Sequence, residues 1–350
     1  MIRILNTRCS PIGVDIGSHT VKLVQMNGDR SAVLHTARWE VGTAGGDDAA
    51  AAAEQRVAAL RQAYQSRKFR GRDAVLSLSG ERLFVQNIRV AKSPDAHLAN
   101  TVHQEAAGKV PFPIEEAEIR YVDAGDIRHG DTTRREVILL ACHRPVLEQV
   151  LDELTSAGLQ PVAVDVEPAA LLRCYAHQFR REEDQQQRLM YVHIGAMNTA
   201  VVIAQDAGAV FVKYLAIGGT QMNEAVARSL GMELPAAAML RGHNGDRRKD
   251  QHDPEIARGV AQALRPVLDQ LANELSLCIR YHSVTFRGQA IGRAVFGGGE
   301  ATPQIAESVQ VRLNLPCEVG APFRTYRVES EAARHTQWDV ATGLALRQPD

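Results

Sequence analysis

Three glycine-marked turns hold the residue types that could do chemistry in this chain. The first is Gly13-Val14-Asp15-Ile16-Gly17-Ser18-His19-Thr20-Val21-Lys22, a strand ending in Asp-x-Gly, a tight turn and a second strand. Backbone amides in such a turn, here at Gly17 and Ser18, can converge on a phosphate, and glycine lets the phosphate come close. Asp15 can hold a magnesium ion through water, because magnesium keeps much of its hydration shell. Lys22 can place a point charge on a phosphate. The same residues also read as a hairpin turn with a surface lysine. The second turn, Val192-His193-Ile194-Gly195-Ala196-Met197-Asn198-Thr199, has the same strand-Gly-strand form. The third is Val295-Phe296-Gly297-Gly298-Gly299-Glu300, a strand running into three glycines before a helix near Pro303. A glycine run at that place lets an adenine-ribose unit pack flat on backbone near a helix N-terminus.

The elements that must position these turns repeat along the chain. Ile12–Ile16, Val21–Met26 and Ser31–Val41 read as three strands, and the alanine-rich run 49–66 as a helix capped by Asp47 or Asp48. Strand-turn-strand-strand-helix recurs at Leu189–Ile194, Ala200–Ala204, Val210–Ala216 and Gly219–Leu230. Such repetition implies two similar lobes facing one another. Between the repeats, residues 74–158 form an inserted α+β unit of four strands and two helices, broken by Val110-Pro111-Phe112-Pro113-Ile114. The expected division is 1–73 and 159–185 for the first lobe, 74–158 for the insertion, and 186–230 with 288–350 for the second lobe. A helical subdomain takes 231–287, with a polar break at Gly242–Asp253 and a long helix bent or interrupted around Pro266.

Composition narrows the function classes. The 350 residues carry 40 Lys and Arg against 41 Asp and Glu, a net charge of -1. That argues against nucleic acid or an anionic bilayer as a bulk electrostatic partner. The five cysteines lie far apart with no CxxC pair, as structural thiols of a reducing compartment do. There is no signal-peptide h-region and no apolar run of the roughly 20 residues a membrane helix needs. A cytoplasmic protein is expected, held at a membrane, if at all, by something else. His97 and His103 do not share a helix face, Glu115, Glu116 and Glu118 read as a solvated edge, and 180–184 as an exposed loop.

The three turns resemble the phosphate-1, phosphate-2 and adenosine motifs of the actin, Hsp70 and sugar-kinase superfamily. Val164-Asp165-Val166-Glu167-Pro168-Ala169-Ala170 and Trp338-Asp339-Val340-Ala341-Thr342-Gly343 are similar to its connecting segments. Within it, the insertion with Val110-Pro111-Phe112-Pro113-Ile114-Glu115-Glu116, the run Ala216-Ile217-Gly218-Gly219, and Arg265-Pro266-Val267-Leu268 resemble the PilM family. The likeness implies a two-lobed actin-like α/β fold with an inserted subdomain, 1C-like. It implies ATP and Mg2+ between the lobes, held by Asp15, Gly17, Ser18, Lys22, Gly195, Gly297, Gly298 and Gly299. It also implies a groove for the cytoplasmic tail of a PilN-like inner-membrane protein. That groove is expected beside Pro111, Phe112 and Pro113, although Phe112 could equally anchor the corner in the subdomain core.

The chain departs from this pattern twice. His193 stands where an aspartate is usual, and imidazole is a poor partner for a hard cation. In Pro235-Ala236-Ala237-Ala238-Met239-Leu240-Arg241, acidic residues and a lysine give way to alanines and Leu240, with Arg241 left polar. Nucleotide bound weakly or not at all, without useful turnover, is therefore expected, and no residue is assigned as catalytic. An ATPase or sugar-kinase-like enzyme is the alternative, for which no catalytic base is found. A filament-forming cell-division homologue would carry an amphipathic C-terminal helix, which the final residues do not form. Self-association stays open.

Overall fold

The computed structural model describes residues 9–42, 49–92, 95–129, 131–176, 178, 187–206, 208–246, 253–287, 289–329 and 336–348. The helix caps expected at Asp47 or Asp48, and the loop at 180–184, lie outside them. Strands β1 (Ile12–Ile16), β2 (Thr20–Met26) and β3 (Ala32–Glu40) form an antiparallel meander. Strands β4 (Asp73–Leu78) and β8 (Gln160–Val166) extend it in parallel, and β14 (Arg327–Val328) closes the far edge, in the order β14-β3-β2-β1-β4-β8. Successive β2 side chains point to opposite faces. Val21 and Leu23 pack with Leu60 of helix α1 (Ala49–Gln65), whereas Val24 and Met26 pack with Ala341 and Ala345 of helix α9 (Asp339–Ala345).

The second lobe repeats the plan. Strands β9 (Arg188–Ile194), β10 (Thr199–Gln205) and β11 (Gly208–Leu215) form its meander, with β12 (Ile291–Gly297) and β13 (Cys317–Val319) added in parallel as β11-β10-β9-β12-β13. Its helices are α5 (Gly219–Leu230), α6 (Leu234–Asp246), α7 (Pro254–Thr285) and α8 (Pro303–Leu313). Helix α6 runs into the segment expected as a polar break. Helix α7 runs through Pro266 as one element, held on either side by the buried Ala263, Leu268, Leu271 and Leu275. Helix α4 (Glu167–Tyr175) follows β8 and crosses α9 so closely that a Cβ on Gly343 would lie 1.9 Å from the Ala170 carbonyl oxygen.

A third sheet, β5 (Phe84–Ala91), β7 (Thr132–His143) and β6 (Ala117–His129) in the order β5-β7-β6, is covered by helix α2 (Asp95–Ala106). It starts later than the sequence reading placed it. Ala74 to Leu78, all five buried, belong to β4, which hydrogen-bonds between β1 and β8 in the first sheet. A short apolar run buried on both faces is what a central parallel strand requires, and alternation cannot assign it. Helix α3 (Arg144–Ser156) returns from β7 to pack beside α1. The insertion also reaches the second lobe. The Asn87 amide pairs with both backbone groups of Val212 on the edge strand β11, donating to its carbonyl at 2.7 Å and accepting its N–H at 3.4 Å. Glu136, fully buried, accepts from Arg89 at 3.1 Å and from the Tyr281 hydroxyl of α7 at 2.5 Å. Among the described residues no helix is long and apolar enough to cross a membrane.

Candidate functional site

The first turn hangs on β1 and β2, whose register sets Asp15 opposite Lys22. Their side chains meet at 2.7 Å and are only 13% and 9% exposed. Lys22 is thus a buried ion-pair partner and not the surface lysine of a plain hairpin. Gly17 N–H donates to the Thr20 carbonyl at 3.0 Å, and Ser18 Oγ donates to Glu81 Oε1 at 3.0 Å, from the turn between β4 and β5.

The second turn copies this backbone, with Gly195 N–H donating to the Asn198 carbonyl at 2.9 Å. Here His193 faces Ala200 across the strand pair, so no neighbouring side chain holds its ring. The imidazole reaches over the cleft instead. Its Nδ1 lies 2.9 Å from Asp339 Oδ2 and its Nε2 3.3 Å from Glu167 Oε1. Those carboxylates open α9 and α4, the two helices that cross between the lobes. Asp339 Oδ2 also accepts the Gly298 N–H at 2.9 Å and the Tyr175 hydroxyl at 3.4 Å, and Glu167 Oε2 accepts the Tyr214 hydroxyl at 3.2 Å.

Burial by itself would lower the affinity of His193 for its second proton. The charges of Asp339 and Glu167 outweigh it and raise the pKa to about 9. Burial raises the Glu167 carboxyl, which His193 pulls part of the way back. Tyr175 and Tyr214 are pushed well up, chiefly by burial, which keeps both as donors.

On the third turn the glycines divide in purpose. A Cβ on Gly297 would sit 2.3 Å from Asp339 Oδ2. Gly298 has φ +91° and presses on the Ile194 carbonyl, where a Cβ would fall 2.3 Å away. Both are therefore consumed by packing within the chain, and Gly299 alone faces open space. Arg241 donates to Glu300 at 2.6 Å and to Asn223 at 2.7 Å, tying the helical subdomain to the glycine corner.

Of the residues expected to hold phosphate and nucleoside, the second and third turns meet directly, with Gly298 pressed on the Ile194 carbonyl, and Asp15 of the first turn lies near enough to His193 for its charge to act on the ring. A hydrated magnesium ion does not fit them as arranged, because Asp15 is bound to Lys22 and the two deeper carboxylates to His193. Among the described residues no three His, Cys, Asp or Glu side chains are grouped to hold a metal ion. Glu167, Asp339, Tyr175, Tyr214 and Glu81 are site residues that sequence reasoning missed. The signal available for Asp339 was a lone carboxylate inside an apolar run, and for Glu167 a carboxylate two residues after Asp165 in another, since a charge in such a run is seldom buried without a partner.

The Pro111-Phe112-Pro113 corner lies elsewhere, on the insertion. Val110 and Ile114 pack into the core of that sheet, while Phe112, half-buried, stacks on His143 with ring centroids 5.2 Å apart. His143 leads directly into α3, and its Nε2 meets Glu116 at 2.7 Å. Beyond it runs a groove of about 690 Å³ between α1 and α3. Val57, Ala58 and Pro145 supply its apolar wall, and Glu54, Glu148 and Asp152 its acidic rim, with Arg61 at one end donating to the Ser156 carbonyl. Arg56 clamps α1 to α3 through both oxygens of buried Glu153, at 2.9 and 2.5 Å.

Residues 13–349 match the family described as type IV pilus assembly protein PilM. The fold is similar to that of a solved PilM-PilN type IV pilus biogenesis complex, at 25% identity and a TM-score of 0.77, covering 97% of this chain and 98% of that one. Ethanolamine utilization protein EutJ from Carboxydothermus hydrogenoformans shares the fold at 14% identity and a TM-score of 0.58, over 99% of this chain and 92% of its own. So does MreB 5 of Spiroplasma citri bound to AMPPNP, at 12% identity and a TM-score of 0.51, over 97% and 95%.

Proposed function

Because this chain belongs to the PilM family of type IV pilus assembly proteins, we propose that it is an actin-like scaffold that grips the cytoplasmic tail of a PilN-like inner-membrane protein. It works at the cytoplasmic face of a pilus or type II secretion platform, recruited there through that partner. The observation that carries this reading is the groove between α1 and α3, whose lining begins on α3 at Pro145, two residues along the chain from the His143 that Phe112 stacks on. Its apolar wall fits the hydrophobic side chains of a short peptide, and its acidic rim fits basic residues, which are common on cytoplasmic segments next to membrane spans. A nucleotide is bound weakly or not at all in the interlobe cleft, since Lys22, Gly297 and Gly298 already serve contacts within the chain.

The test is binding of a synthetic N-terminal peptide of a PilN-like protein, followed by fluorescence anisotropy. Val57→Asp in the groove wall should weaken it by about 2 kcal/mol or more, and Phe112→Ala by about 1 kcal/mol. Glu148→Lys should weaken it mainly at low salt. Clustering the peptide on vesicles should raise apparent affinity for the unmodified protein. Equal affinity for all variants would place the tail elsewhere.

A further inference from the structure

Three little-exposed carboxylates act on His193, Glu167 from α4 and Asp339 from α9 in contact with its ring, and Asp15 from β1 through its charge. Their side chains are, in that order, 8%, 0% and 13% exposed. Carboxylates gathered out of water need protons, a metal ion or side-chain cations to be tolerated. Here each one touches a side-chain cation or its equivalent, Lys22 on Asp15 and His193 on both of the others. Both ring nitrogens of His193 face carboxylate oxygens. A neutral imidazole has a single N–H and would turn a lone pair toward one of them. The doubly protonated ring satisfies both contacts at once.

We infer that the imidazolium of His193 is the resident cation of this cleft, supplying with Lys22 the positive charge of a divalent metal ion and joining the two lobes without one. The geometry excludes an added metal in two ways. Asp339 Oδ2 already accepts from His193, the Gly298 N–H and the Tyr175 hydroxyl, and its Oδ1 accepts the Val340 N–H at 2.8 Å, so both oxygens are engaged within the chain. The imidazolium also occupies the space between the carboxylates, where it would repel a second cation. The contacts cross the molecule, since His193 ends β9 of the second lobe, whereas Glu167 and Asp339 open the connecting helices. The interlobe angle is then set by the protein's own charges. The inference concerns the cleft alone, so failure of the tail groove would leave it untouched.

The test uses the full chain with Mn2+ alone, read by the electron paramagnetic resonance of the free ion. The unmodified protein should leave Mn2+ free, whereas His193→Asp should capture one equivalent, lost again when Asp339→Asn is added. Nuclear magnetic resonance of [15N]histidine-labelled protein should show both His193 nitrogens protonated at neutral pH and unmoved by millimolar Mg2+, with His193→Gln identifying the signal. If His193→Asp does not fold, amide exchange replaces it. His193→Gln should then raise exchange at the starts of α4 and α9 by about tenfold or more, while Mg2+ leaves exchange in the unmodified protein unchanged. Capture of Mn2+ by the unmodified protein that Asp15→Asn abolishes, a His193 ring with one N–H, or no rise in exchange in His193→Gln would each overturn the inference.

Discussion

The two phosphate-type turns share a backbone and differ in their chemistry. Gly17 and Gly195 each donate three or so ångströms across the turn, at 3.0 and 2.9 Å, and a Cβ at either would sit 3.0 or 3.1 Å from the carbonyl it faces. Two residues earlier stand Asp15 and His193. The residue opposite each decides what that side chain does. Lys22 lies across from Asp15 and captures it within its own hairpin, whereas Ala200 lies across from His193 and offers nothing. The ring therefore leaves its strand pair, hydrogen-bonds to Asp339 on α9 and stands at ion-pair distance from Glu167 on α4. A duplicated backbone fixes where side chains start, and the cross-strand neighbour fixes whether they stay local or bridge the lobes.

The largest break in this comparison should come from Asp339→Ala. It removes the acceptor of three donors and strands a buried cation, so urea unfolding should show a loss of about 3–5 kcal/mol. A loss under about 1 kcal/mol would mean that the bridge carries no stability.

Next comes pH. The folded pKa of His193, about 9, lies above its ordinary 6.5, so the protonated ring favours the folded state. That stabilisation is fully present below pH 6.5 and is lost as pH rises through about 9. It corresponds to about 3 kcal/mol at most. Unfolding free energies of the unmodified protein and His193→Gln, measured from acid to alkaline pH, should converge as pH rises. Parallel curves would show that the ring carries no charge in the fold.

The first turn should lose somewhat less. Lys22→Met leaves Asp15 unpaired at about 2–3 kcal/mol, and adding Asp15→Asn should recover most of it, because that pair is closed within one hairpin. Failure of the double variant to recover would mean that Asp15 answers to the cleft and not to Lys22. The smallest effects sharpen the likeness of the two backbones. Gly17→Ala and Gly195→Ala should each cost about 1 kcal/mol and agree within about 0.5, and a larger gap would show that the turns are not equivalent.

Much of the fold was legible because it is local. Glycine turns, two-residue alternation and the repeated strand order depend on neighbours in sequence, and they located both lobes and all three motifs. The buried run at Ala74–Leu78 misled because a strand buried on both faces has no alternation, and only its pairing with β1 and β8 assigns it. For Phe112 the sequence offered both an anchor and a groove edge, and what packing adds is that Val110 and Ile114 lie against the core while Phe112, half-buried, stacks on His143.

The sequence by itself determined the three glycine turns and the repeated strand order around them, and it set His193 at the place in the second turn that Asp15 holds in the first. Only the tertiary structure decided what His193 does there. Its partner Asp339 is 146 residues away in the chain and Glu167 lies on a different helix, so no spacing rule connects them. Periodicity reports which face a residue occupies. A charge in a dry cleft is governed by whichever opposite charge the folded chain brings within about 3 Å, and that is a property of packing.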